Sequence, residues 1–226
     1  MRYNMFNQIH KALRVLMYDT ATLISQTDFD DTKQEEAVKE RLSLVLDLFD
    51  KHAHHEDTMV LPMIEQYEPA VVDAFEQEHV TDHELAQRLK GFIMALNYAI
   101  SSEAKKDLGS ALSISFMEFM VFNLQHMKKE ETVLNHIFWR YYSDEELIGV
   151  SQKIAASIPA EEAAISAKWM MKGLSNHEIT AWLRNVERNA PNHVFRPLFT
   201  TAEKELEQSR FREVLNALTD GVKKAS

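Results

Sequence analysis

Three observations predict an all-α fold, an up-down-up-down four-helix bundle followed by a set of short helices. The 226-residue chain is 45% hydrophobic yet has only 5 Gly and 5 Pro, so it has a core to bury and few places to turn. Apolar residues recur at alternating three- and four-residue spacings through four long segments that end near residue 141. From 143 onward the segments shorten, divided by proline, glycine and capping residues.

The first helix starts near Tyr3 and carries an apolar stripe through Phe6, His10, Leu13, Met17, Ala21 and Ile24. Residues 27–31, Thr-Asp-Phe-Asp-Asp, end it. The second runs through Val38, Leu42, Val45, Phe49, His52, Glu56, Met59 and Met63 and stops near Gln66, with Pro69 opening the third. The third stripe is Val72, Phe75, His79, Asp82, Ala86, Leu89, Ile93, Leu96 and Ile100. Ser101 and Ser102 cap the fourth, whose stripe is Leu112, Phe116, Phe119, Asn123, His126, Glu130, Val133 and Ile137 and which ends near Tyr141. Residues 1–141 are thus expected to form the bundle. Residues 143–226 are expected to form helices over 143–157, 160–173, 175–189, 191–205 and 207–224, with Trp169, Met170, Trp182, Leu183, Val186, Phe195, Leu198, Phe199, Phe211, Val214 and Leu218 docking them on the bundle. That extension offers a surface for a second copy of the chain or another protein.

All four stripes are interrupted by ligand-type residues. His52 and Glu56 stand four apart, as do His126 and Glu130, so each pair projects from one helical face, the inward one. His10 and His79 are the core histidines of the other two stripes. At ~1.5 Å of rise per residue, all six fall in one layer about 10 to 23 Å from one end of the bundle. Buried ionisable groups cost several kcal/mol each unless paired or coordinated, and no basic residue interrupts these stripes, so the arrangement points to metal. Four imidazoles, two carboxylates and no thiolate suit Fe(II), Mn(II) or Zn(II). The remaining histidines fall off the stripes. His54 and His55 turn away from His52, His136 lies one position from Ile137, and His177 and His193 follow helix-capping residues at surface helix starts.

The order His, His-x-x-x-Glu, His, His-x-x-x-Glu resembles the haemerythrin-like, or HHE cation-binding, domain. The surrounding text is similar too: residues 9–14 Ile-His-Lys-Ala-Leu-Arg, Glu56-Asp57 followed by Leu61-Pro62, Glu78-His79, and residues 126–131 His-Met-Lys-Lys-Glu-Glu. Ser157-Ile158-Pro159 and Trp169-Met170 resemble the segment that follows such domains in bacterial stand-alone members and in the haemerythrin repeats of plant iron-sensing ubiquitin ligases. One departure is that Leu134-Asn135-His136 stands where a Leu-Phe-Pro-like stretch is usual, so Pro62 has no counterpart in the fourth helix. The resemblance implies two iron ions joined by an oxo or hydroxo bridge and by the carboxylates of Glu56 and Glu130, with an open position for O2, NO or peroxide. Oxygen-carrying haemerythrins use a His-x-x-x-His pair in the third helix, which makes His83 a further candidate ligand. The stripe itself passes through Asp82, so His83 sits at the edge of the inward face and Asp82 is expected to orient an imidazole. The implied function is binding or sensing of iron, O2 or a related small molecule, with an enzyme that activates O2 or peroxide as the alternative.

A formal charge of −10 and a pI near 5.5 set the chain against nucleic acid and anionic membranes. It shows no leader-like start and no membrane-length apolar run, which places it in the cytoplasm as an expectation. Zero Cys fits a reducing compartment and excludes disulfides and thiolate sites.

Overall fold

In the computed structural model, which describes residues 2–223, helices α1 (Asn7–Gln26), α2 (Thr32–His55), α3 (Pro69–Tyr98) and α4 (Ser102–Lys129) are the long elements. They begin where local chemistry favours it. The Asp31 side chain accepts the Lys33 and Gln34 amides at the start of α2, Pro69 occupies the first turn of α3, and Ser101 accepts the Ala104 amide ahead of α4. The expected stripes are buried through Val38, Leu42, Val45 and Phe49 in α2 and through Leu112, Phe116 and Phe119 in α4. Full burial of each such side chain contributes about 1.5–3 kcal/mol. Ile100 departs from expectation. α3 ends at Tyr98, so Ile100 falls past the helix and is fully exposed.

Both α2 and α4 change pitch at their glutamates. Glu56–Val60 and Glu130–Leu134 are single π-helical turns, closed by i→i+5 bonds from the Leu61 amide to the Glu56 carbonyl and from the Asn135 amide to the Glu130 carbonyl. Each turn inserts one residue and moves the buried face by one place. Val60 and Ile64 are buried where the stripe predicted Met59 and Met63, and Leu134 is buried where it predicted Val133, which is exposed. After the first turn the helix tightens to a 3₁₀ turn, Leu61–Met63, which takes Pro62 in its first turn and ends where the Ile64 amide bonds the Leu61 carbonyl. After the second it continues as α5 (Asn135–Tyr141).

The shorter helices are α6 (Asp144–Ser157), α7 (Ala160–Gly173), α8 (Asn176–Asn189), α9 (Asn192–Glu205) and α10 (Gln208–Lys223), within a residue or two of expectation. Residue 224, expected to close the last helix, lies outside the described residues. Two compact units emerge: Met1–Phe6 with Leu16–Ile154, and Asn7–Val15 with Ala155–Ser226.

In the first unit, Phe29 of the α1–α2 connection lies so close to α4 that a Cβ at Gly109 would collide with its ring. An apolar cluster of Phe6, Val60, Leu61, Ile64, Val72, Phe75, Leu134, Ile137, Phe138 and Leu147 closes one end. Arg2 is tied to Asp144 and to the carbonyls of Trp139 and Tyr142 beside it.

In the second unit, Met171, Leu174, Ile179, Leu183, Ala202, Leu206 and Val214 form the core. A capping box between Ser175 and Glu178 starts α8. Glu178 also accepts from Asn7 (2.8 Å) and Lys11 (2.6 Å) of α1. A Cβ at Gly173 would meet the Lys11 carbonyl oxygen at 2.5 Å. That close backbone approach and the Glu178 contacts are why the first turns of α1 group with the C-terminal helices. Among the described residues, no helix is long and apolar enough to cross a membrane.

Candidate metal centre

Within the first unit, α2, α3 and α4 bring His52, Glu56, His79, His126 and Glu130 together. Ligand atoms of Glu56, His79, His126 and Glu130 lie within 4.8 Å of one another, as do those of His52, Glu56 and Glu130. The His52 Nε2 is 3.2 Å from Glu56 Oε1, and the His126 Nε2 is 3.1 Å from Glu130 Oε1, each pair spanning one helical turn as its spacing predicts. The His79 Nε2 reaches across from α3 to Glu56 Oε2 at 3.4 Å. Glu56 and Glu130 are almost wholly buried. The sixth expected ligand, His10, is fully buried on α1, in the stretch that belongs to the second unit.

Two further carboxylates orient the central imidazoles. Asp57 Oδ1 lies 2.6 Å from His79 Nδ1, and Glu78 Oε2 lies 2.9 Å from His126 Nδ1. A carboxylate at Nδ1 holds the proton there and turns the Nε2 lone pair inward. The two Nε2 atoms so presented are 3.0 Å apart. Two imidazole nitrogens bound at right angles, each about 2.1 Å from one ion, would be separated by about 3 Å, so the geometry fits a shared cation. It fits poorly without positive charge, because two lone pairs would then face each other over two buried carboxylates.

The electrostatics agree. Burial opposes charge on His79, but Glu56 and Asp57 outweigh it and push the imidazole up to about 9. Burial likewise opposes charge on His126, and Glu130 and Glu78 overcome it to raise that ring above its ordinary value. The cluster attracts a cation or a proton. Glu35, also buried, is satisfied differently: burial penalises its charge, yet Lys105 at 2.5 Å and Lys39 at 3.2 Å hold its carboxyl below the usual range. In that core position lysines do the pairing, whereas imidazoles face Glu56 and Glu130.

His83 is not brought into the cluster. Its ring is more than half exposed, with Nε2 3.1 Å from Gln87 Nε2 and Nδ1 3.9 Å from Asp50. Asp82 is buried but is hydrogen-bonded by the Asn123 amide at 2.5 Å rather than to an imidazole, and burial raises its carboxyl. His54, His136, His177 and His193 are exposed and His55 is half-buried. A cleft of about 710 Å3 between α2 and α3 is lined by Asp50, His54, Asp57, Glu76, His79, Asp82 and His83, so it reaches one of the central imidazoles.

Asp57 and Glu78 and the two π turns were missed as functional features by stripe reasoning. Their signals were present. Asp57 and Glu78 are the immediate neighbours of Glu56 and His79, and the apolar residues after each glutamate fit better when shifted by one place.

The family described as Hemerythrin HHE cation binding domain matches residues 1–137. The chain is also similar to F-box/LRR-repeat protein 5 of Salmo salar, 22% identical over 172 residues, which is 76% of this chain. It spans about a quarter, 24%, of that relative's length. No solved structure matches.

Proposed function

This chain belongs to the haemerythrin HHE cation-binding family, and from that premise we propose that it holds a pair of iron ions and through them binds or senses O2 or a related small molecule such as NO or peroxide. His10, His52, His79 and His126 would supply the nitrogen donors, and Glu56 and Glu130 the bridging carboxylates. The observation that carries this reading is the convergence of His79 Nε2 and His126 Nε2 over Glu56 and Glu130, each ring held at its other nitrogen by a carboxylate. Iron bound there would supply a redox couple and open coordination positions for a diatomic ligand. The protein's own groups orient the imidazoles, and the burial of Glu56 and Glu130 keeps bulk water from the centre. His83 faces the cleft rather than the donors, which supports a centre it does not saturate. Manganese or zinc fits the same donors.

A second reading, an enzyme activating O2 or peroxide, is favoured by the cleft, since an organic substrate could approach the centre along the His79 side.

Elemental analysis of the purified chain, with visible spectra before and after exposure to air, tests both. About two transition-metal ions per chain, mainly iron, are expected. His52→Ala and His126→Ala should each lose at least one ion. Full metal content in both variants would overturn the assignment.

A further inference from the structure

The carboxylates behind His79 and His126 form a crosswise series. Asp57, the second residue of the first π turn, holds the ring on α3, and Glu78 of α3 holds the ring on α4. The two are unequal in charge. Lys129 Nζ takes the other oxygen of Glu78, so that carboxylate is shared between a lysine and an imidazole. Asp57, 40% exposed at the cleft, forms its ion pair with His79 Nδ1 at 2.6 Å, on the solvent side of the ring.

A carboxylate that keeps its full charge draws the Nδ1 proton more strongly and makes Nε2 the better donor. One neutralised by a lysine does so less. We propose that Asp57 and Glu78 are positioning residues for a single ion held by His79 and His126, and that Lys129 weakens the Glu78 arm, leaving Asp57 as the stronger grip. This rests on the metal-centre reading above.

The exposed flank of this arrangement makes it testable without disturbing the core. Full-length chain is loaded with ferrous iron under anaerobic conditions, its stoichiometry is measured, and release to a ferrous chelator is followed. Asp57→Asn keeps an oxygen facing Nδ1 but removes the charge, and should speed the release of one ion by about 10- to 100-fold, leaving the other unchanged. Asp57→Glu should restore most of the retention. Glu78→Gln should speed release of the same ion by less, because Lys129 already shares that charge. Lys129→Met should slow it, a direction that a merely structural role for the lysine would not produce.

Wild-type release from Asp57→Asn, an equal effect on both ions, a larger effect from Glu78→Gln, or faster release from Lys129→Met would each overturn the proposal while leaving the metal site standing. A wild-type chain that takes up no iron would instead refute the site itself.

Discussion

The first unit sets His52, Glu56, His126 and Glu130 where α2 and α4 pass into their π turns, with His79 reaching in from α3, while the second closes on Met171, Leu174, Ile179, Leu183, Ala202, Leu206 and Val214, a cluster with no ionisable member. Apart from the fully buried His10, charged groups in the second unit stay at the margin and find ordinary partners, such as Glu178 with Asn7, Lys11 and the Ser175 cap, or Arg210 with the Leu174 carbonyl. Apolar burial stabilises such a core under any condition that keeps the chain in water. The core of the first unit is conditional: its buried carboxylates need positive charge nearby, so its stability follows whatever supplies that charge.

The largest test of this contrast is metal removal. A metal present at a thousandfold excess over its Kd stabilises by about 4 kcal/mol, and stripping it should withdraw that amount from the first unit. Amide exchange should then speed up in α2, α3 and α4 while α8 and α10 keep their protection. Equal loosening of both would erase the distinction.

A smaller effect is expected from Glu178→Gln, about 1–2 kcal/mol, since it removes the charge from hydrogen bonds to Lys11 and the α8 start. Burial disfavours the Glu178 carboxylate, but Lys11, Asn7 and Ser175 outweigh this and lower its pKa to about 2, from 4.5. A depressed carboxyl stabilises the fold above its unfolded value, and that contribution is lost as pH falls from 4.5 toward about 2. Urea unfolding followed by amide exchange in α8 should show this acid-dependent loss in wild type and not in the variant. The same slope in both would remove Glu178 as its source.

The smallest change, about 1 kcal/mol or less, is expected from Pro62→Ala. The second π turn forms without a proline, so the first should survive its removal with metal content unaltered. Loss of metal from this variant would show that the two turns have different causes.

The sequence made the inward direction of His52, Glu56, His126 and Glu130 legible because a four-residue spacing on an amphipathic stripe leaves one orientation. It made helix starts legible at Asp31, Pro69, Ser101 and Ser175 because capping is local. The stripe past each glutamate was misplaced because it assumes a constant pitch, and the one sign of the π turn is that the apolar residues beyond it fit better when shifted by one place. That is why Met59, Met63 and Val133 yielded their expected burial to Val60, Ile64 and Leu134. Asp57 and Glu78 were hidden for a different reason. Their partners lie 22 and 48 residues away, and cross-helix reach depends on rotamers and packing rather than periodicity. His83 shows the reverse: a one-turn spacing from His79 makes a ligand geometrically available, but the helix turns its ring to solvent.

The close packing of Gly173 on the backbone at Lys11 has a consequence for how the molecule is made. Asn7 and Glu178 are 171 residues apart, so the opening turns of α1 emerge from the ribosome long before the residues that hold them exist. Domains that complete themselves from the N-terminus fold as they are synthesised. Here the stretch carrying His10 must wait for residues made long after it, and its closure spans the 171 positions between Asn7 and Glu178. Assembly around that histidine therefore follows the synthesis of α8, and a translation product that stops short of Gly173 lacks the groups that hold the opening turns of α1.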